Sequence, residues 1–272
     1  MSEKTTLVLG GTGKTGRRVV ARLETLGVPV RIGSRTAAEP PFDWDKRETW
    51  GPVLDGVDKV YVLYSPEIAF PGAAETIAEF TETAVGKGVR RFVLLSGRGD
   101  EVQASASERA VRDSGAEWTI LRPAWFNQNF SESFMREPVV YGEIQLPAGD
   151  VAEPFVDAED IADVAVAALT TDDHVGEIYE LCGPRLLTFS DAAAEIGQAA
   201  NKEVRYASVT FVEYARILQE HGLPRAYVEM FRTVLDGRNS YVSDGVQRAL
   251  GREPRDFSQY AKQAADKGVW TP

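Results

Sequence analysis

The chain has 272 residues, 43% hydrophobic and 26% charged, a globular composition that excludes a disordered class and leaves room for one large α/β domain with a smaller lobe. Its 30 basic and 41 acidic residues give a formal charge of −11, which disfavours nucleic acid or anionic membrane as a partner, so any phosphate must be held locally. No apolar run approaches the roughly 18 residues that cross a bilayer, and MSEKTTLVLGG lacks a signal-peptide start, so a cytoplasmic location is expected.

In chain order, residues 5–10 (TTLVLG) read as a buried strand, and Val19, Val20, Leu23 and Leu26 mark a helix that Gly27 stops. Strands are then expected at 28–35, 57–65, 91–97 and 117–123, with helices at 72–87 and 101–114 and a weakly marked third strand near PFDW, 41–44. The alternation calls for a Rossmann-type, doubly wound parallel sheet of order 3-2-1-4-5-6, with room for extension. After Pro123 the pattern loosens through WFNQNFSESFMREPVVYGEIQLPAGD, as in a segment leaving the sheet. A helix at 158–169 and a strand at 177–182 follow, and then short helices at 189–200, 210–221, 224–236 and 244–250. The core is therefore expected in 1–125 and 154–182, and a small, mostly helical substrate lobe in 126–153 and 183–272, as one compact unit. Cys182 has no second cysteine to pair with and reads as a buried thiol. His174 and His221 have no ligand neighbours at suitable spacing, so no metal is expected.

The stretch LVLGGTGKTG offers two phosphate-binding readings. A P-loop needs glycine where Val8 stands, and neither VDKVYVLYS nor RFVLLSG ends in the aspartate that would hold magnesium, so nucleotide-triphosphate hydrolysis is excluded. Gly10, Gly13 and Gly16 instead have the spacing of a dinucleotide turn at a strand–helix junction: one glycine for the turn, one for approach to the pyrophosphate, one for helix packing. An NAD enzyme carries an acid at the end of the second strand; here stand Gly33, Ser34 and Arg35, with no acid before Glu39. Arg35 is either a solvated loop cation or the partner of a 2′-phosphate, with Ser34 as a further donor. The missing acid favours NADP(H).

GGTGKTG, LYSP, RFVLLSG, SERAVRDSGAEWTILRPAWFNQNF, FVDAEDIADVAVAAL and YELCGP together resemble the NmrA-like group of atypical short-chain dehydrogenases, and GGTGKTGRRV with GVQRALGREPRDFSQYA resembles its ergot-alkaloid iminium reductase branch. The resemblance implies that Thr12, Lys14 and Thr15 lie along the phosphates, Arg35 at the 2′-phosphate and Asp43 near the adenine. It places Tyr64 and Ser65 beside the adenosine–nicotinamide bridge, with Tyr64 also on the substrate side, and Ser96 close to the nicotinamide. Trp125, Phe126 and Asn129 would line the substrate side. Phe211, Tyr214, Tyr227, Met230 and Phe231 either roof an apolar pocket or are plain core.

The sequence departs from ordinary short-chain dehydrogenases because none of its nine tyrosines is followed four residues later by lysine, and EVQASASERAVRDSG carries no lysine in its place. Ketone reduction develops an alkoxide that needs a proton donor, whereas hydride addition to an iminium yields a neutral amine and a quinone product can take its proton from solvent. Three functions are therefore carried forward: an NADPH-dependent reductase of an electron-poor iminium or quinone-like molecule, with Ser96 supporting and not acting as an acid; an NADP(H)-sensing regulator; and a non-redox enzyme on the same scaffold. The oligomeric state is not legible.

Overall fold

The computed structural model describes residues 4–36, 39–99, 101–223 and 225–271. In chain order the first elements are β1 (Thr5–Leu9), α1 (Gly16–Thr25), β2 (Val30–Gly33), α2 (Trp50–Leu54), β3 (Val57–Leu63), α3 (Ala73–Gly86), β4 (Arg91–Leu95), α4 (Glu101–Arg112) and β5 (Glu117–Pro123). There follow α5 (Arg136–Tyr141), β6 (Glu143–Leu146), β7 (Ala152–Glu153), α6 (Ala158–Thr170), β8 (Glu177–Leu181), β9 (Leu187–Thr188) and α7 (Phe189–Ala200). The chain ends with β10 (Arg205–Ser208), α8 (Phe211–Glu220), α9 (Ala226–Val234), α10 (Gly245–Leu250) and α11 (Phe257–Asp266).

Six strands form one sheet in the order β2-β1-β3-β4-β5-β8. The ladders from β2 to β5 are parallel, with Val8 opposite Ile32 and Tyr61, and Leu94 opposite Val62 and Ile120. Successive side chains on a strand face opposite ways, and the two faces are filled differently. Val60, Val62, Phe92, Leu94 and Ile120 share a core with Ile77 and Phe80 of α3 and Val111 of α4. On the alternate positions, Tyr61 reaches Thr15 ahead of α1, and Lys59 and Arg91 donate to the Leu169 and Ala168 carbonyls at the end of α6. Covering both faces is what allows these strands to be nearly continuous apolar runs.

The expected strand at 41–44 is absent: Phe42 and Trp44 are buried in the core instead. Trp44 packs edge-on against Phe80 at 5.1 Å and donates its indole N–H to the Leu63 carbonyl at 3.1 Å. The adjacent Pro40 and Pro41 lack the N–H groups that a ladder requires.

The chain divides into two compact units, one of Met1–Pro123, Ala158–Glu180 and Gly245–Arg252, the other of Ala124–Asp157, Leu181–Asp244 and Glu253–Pro272. The first unit includes 245–252, which the sequence reading had assigned to the lobe. A Cβ on Gly245 would lie 2.1 Å from the Glu180 carbonyl oxygen, so glycine permits α10 to start hard against β8. Arg252 then pairs with Asp160 and Asp163 of α6 at 2.7 and 2.6 Å.

The second unit is mostly helical and has its own core, in which Phe155 meets Phe189 edge-on at 5.2 Å and Phe130 meets Phe257 at 5.7 Å. Two small ribbons belong to it, β6 with β10 in parallel and β7 with β9 antiparallel. Reciprocal capping boxes start two of its helices, Thr188 with Asp191 at α7 and Thr210 with Glu213 at α8. Among the described residues no helix is long and apolar enough to cross a membrane.

Candidate cofactor and active site

The glycine turn follows β1. Gly10 has φ +64°, its N–H donates to the Gly33 carbonyl at 2.9 Å, and its own carbonyl accepts from Gly13 N–H at 2.8 Å. That carbonyl would lie 2.1 Å from a Cβ on Gly16, so residue 16 must be glycine for α1 to begin this close to the strand. The N-terminus of α1 has no side-chain cap and no acidic residue in its first turn. The positive end of the helix dipole points at this turn, so the cradle suits an anion.

Thr12 is exposed and Lys14 half-buried on this turn. Thr15 corrects the expectation for its side chain: it is 1% exposed and its hydroxyl accepts from the Tyr61 phenol at 2.9 Å, so it faces the sheet. Burial pushes the Tyr61 phenol well above its usual range, which keeps it a donor. Only the backbone of Thr15 is left to face a phosphate.

The other expected cofactor residues stand at or beside the carboxyl ends of neighbouring strands, the edge where open α/β sheets bind ligands. Half-buried Ser34 and exposed Arg35 follow β2, and Arg35 has no ion-pair or hydrogen-bond partner among the described residues. Tyr64 and Ser65 follow β3; the Tyr64 ring packs on Trp44 at 5.0 Å, and Ser65 is exposed. Asp43 is tied to this edge through the Ser34 carbonyl, which accepts from Phe42 N–H at 2.9 Å. One of its carboxylate oxygens accepts from Asp45 N–H at 3.1 Å.

A family described as NAD(P)H-binding matches residues 10–172, which include the whole glycine turn and most of the sheet. The chain belongs to that family. It is an NAD(P)H-binding oxidoreductase, and an NmrA structure shares its fold at a TM-score of 0.72 and 15% identity. Relatives include the uncharacterized oxidoreductase YesF of Bacillus subtilis, 34% identical over 100% of this chain and 98% of YesF. The NAD(P)H azoreductase of Xenophilus azovorans is 31% identical over 95% and 97%. Two solved structures share the fold: Citrobacter triphenylmethane reductase with NADP(H), at a TM-score of 0.74 and 22% identity over 96% and 99% of the two chains, and an Escherichia coli NADPH-dependent quinone oxidoreductase with NADPH, at 0.78 and 22% over 95% and 99%.

In this oxidoreductase Ser96 follows β4 and is 6% exposed. Its hydroxyl donates to Glu108 Oε1 at 2.7 Å. Glu108, on α4 and 2% exposed, also accepts from Arg122 Nε at 2.8 Å and pairs with the same guanidinium through its second oxygen. An ion-paired carboxylate only accepts, so the single proton of Ser96 is committed inward and the lone pairs of its oxygen are left for other donors. Sequence reasoning noticed that α4 has no lysine and missed what stands there. The available signal was an arginine inside the otherwise apolar run TILRP of β5, a position that demands a buried acid nearby.

Apart from Tyr64, which follows β3 in the first unit, the expected substrate-side residues lie in the second unit. Trp125 packs on Phe189 and Phe231 at 5.3 and 5.5 Å, Phe126 bridges to Val156, Asn129 lies in a short 3-10 turn, and Tyr227 packs on the unit's core. Of the proposed roof, Tyr214 and Phe231 are buried core, 5.2 Å apart, and Phe211 carries the Arg232 guanidinium over its ring at 4.3 Å. Asn127 was missed: it is wholly buried, and neither its amide oxygen nor its nitrogen has a hydrogen-bond partner. The Trp125 indole N–H is likewise buried and unpartnered. Buried polar atoms of this kind are uncommon, and here three of them fall within three residues of PAWFNQNF.

Proposed function

We propose that the chain is an NADPH-dependent reductase of electron-poor small molecules, cationic iminium compounds before neutral quinones, that works without a side-chain proton donor. The observation that carries this reading is the Ser96–Glu108–Arg122 chain. When bound, the reduced nicotinamide supplies a hydride. The turn shaped by Gly10, Gly13 and Gly16 lets the backbone at the start of α1 approach the pyrophosphate, and Arg35 pairs with the 2′-phosphate. Ser96 presents an oxygen that accepts, which suits an N–H donor or a positive centre and gives no proton to a developing alkoxide. An iminium accepting hydride becomes a neutral amine and needs no proton, so holding the reactants in place suffices. The azoreductase relative, by its name a reductase of azo compounds, supports a small nitrogen-containing hydride acceptor.

The test is stopped-flow loss of NADPH absorbance with a cyclic N-methyl iminium salt, a quinone and a ketone of matched shape. Turnover of the first two is expected, with kcat for the iminium flat between about pH 6 and 9 and negligible ketone reduction. Ser96→Ala should lower kcat by about tenfold with NADPH affinity unchanged, the modest end of effects attributed to one positioned hydrogen bond. Ketone reduction as fast as iminium reduction would overturn the proposal, and complete loss of turnover in folded, NADPH-binding Ser96→Ala would make Ser96 essential and not supporting.

A further inference from the structure

In the second unit, α5, β6 and α8 line a half-open pocket, a cavity of about 340 Å³. Its size is at the small end for organic ligands, enough for a fused two-ring molecule. None of the residues assigned above to cofactor or substrate lines it apart from Tyr214 of the proposed roof.

Its wall is aromatic and its rim is acidic. Phe134 and His221 stand with ring centroids 6.2 Å apart, and Tyr141 projects from the end of α5, 80% exposed. Glu137, Glu143 and Glu220 lie around these rings, and no lysine or arginine lines the cavity. Glu137 and Glu220 have no ion-pair partner among the described residues, and Glu143 takes a hydrogen bond from the Gln145 amide at 2.6 Å. Of the neighbouring cations, Arg216 stands one turn before Glu220 on α8, Arg136 beside Glu137 donates to the Val269 carbonyl at 2.8 Å, and Arg205 lies across the ladder from Glu143 with its guanidinium held by Glu203 at 2.7 Å. Lys202 is likewise engaged, donating to the Val140 carbonyl at 2.6 Å.

Tyr214 adds an independent observation. It lines the cavity, is 0% exposed, and its hydroxyl has no hydrogen-bond partner. A buried phenol is ordinarily paired, and a ligand carrying an acceptor would satisfy this one.

We infer that this cavity is a binding site for a small aromatic cation. Ring faces attract a cation through their quadrupole, and the three carboxylates add a field of the same sense. A neutral molecule of the same shape receives only the apolar contact.

Calorimetric titration of the full chain with N-methylquinolinium, and with quinoline at pH 8 as its uncharged counterpart, tests this. The cation is expected to bind about tenfold more tightly, with the gap shrinking as salt is raised. The gap should close in the Glu137→Gln, Glu143→Gln, Glu220→Gln triple variant, and exposed Tyr141→Ala should weaken the cation several-fold without disturbing the fold. Tyr214→Phe should weaken N-methyl-6-methoxyquinolinium, which carries an acceptor, and leave N-methylquinolinium unchanged. Equal affinity for cation and neutral molecule, no binding at millimolar concentration, or a cation preference that survives the triple variant would each overturn the inference. The last outcome would place the cation elsewhere on the protein.

Discussion

Arg35 and Gly16 decide different parts of the same site. Arg35 is an exposed cation with no partner among the described residues, at a strand end where an NAD enzyme carries an acid. A charge-assisted hydrogen bond contributes roughly 1.5–3 kcal/mol. Arg35→Ala is therefore expected to weaken NADPH by about tenfold to a hundredfold and to leave NADH nearly unchanged, as read by titrating both cofactors against both proteins. Equal losses would mean that Arg35 shapes the loop, and tighter NADH than NADPH binding in the unmodified protein would overturn the cofactor preference. Gly16 was legible because its task is steric, and a glycine between a strand and a helix announces that task. Ser96 was legible by position only. Its partner Glu108 was not, because on α4 it looks like any helix-surface acid, and only the arginine in the apolar run TILRP pointed to it. Asn127 was hidden for the opposite reason: a polar residue in a polar loop looks ordinary until its burial is known.

Helices and strands were readable in proportion to how completely they are covered. β3, β4 and β5 are buried runs bounded by turns, α1 repeats apolar residues on one face, and α6 is apolar along most of its length, so hydrophobic pattern alone locates them. The short β6 alternates exposed and buried residues over only four positions, and β10 fully buries none of its four, so no pattern stands out in either. α11 was overlooked although Phe257, Tyr260, Ala261 and Ala264 keep helical spacing behind the Asp256 cap, because FSQYAKQAAD has small and polar residues where longer apolar ones usually advertise a helix. α7 offers a direct test of local determinants. Thr188 Oγ1 accepts from Asp191 N–H at 3.0 Å, and Asp191 Oδ2 accepts from Thr188 N–H at 3.0 Å. Thr188→Ala should cost about 1 kcal/mol in urea unfolding, with the m-value unchanged and most of the stability restored by serine. An unchanged midpoint would show that packing alone fixes the start of α7.

At the scale of the whole molecule, charge ties distant segments of the first unit together. Arg18 and Arg22 of α1 pair with Glu159 of α6 at 2.6 Å each, and Arg22 also reaches Asp163 at 2.6 Å. Burial alone would raise the Glu159 carboxyl, but hydrogen bonds from Arg22 and Arg18 outweigh it and hold the group below its ordinary value. Its contribution is therefore fully present above the unfolded value, about pH 4.3, and is lost as pH falls through the lower folded one. Glu159→Gln should remove about 1 kcal/mol near neutral pH and flatten the acid limb of stability against pH, measured by urea unfolding from pH 7 down to about pH 3. An acid limb identical to that of the unmodified protein would assign the loss to other carboxylates.

Each unit is built from three separate stretches of chain, and this has a consequence for synthesis. When residue 123 leaves the ribosome, the first five strands of the sheet exist, but α6 and β8 do not. Arg91, 3% exposed in the finished protein, then lacks Asp172 and the Thr171 carbonyl, and the apolar face that α6 covers is open to solvent. To close it the chain must first emit residues 124–157, which pack with stretches not yet made. A fragment ending at Pro123 should consequently remain a sticky, partly ordered species that binds hydrophobic dyes and lacks a cooperative melt, whereas one extended to Arg252 gains all three stretches of the first unit. Neither unit can be cut out of the gene as one contiguous piece, so the two are made, inherited and lost together.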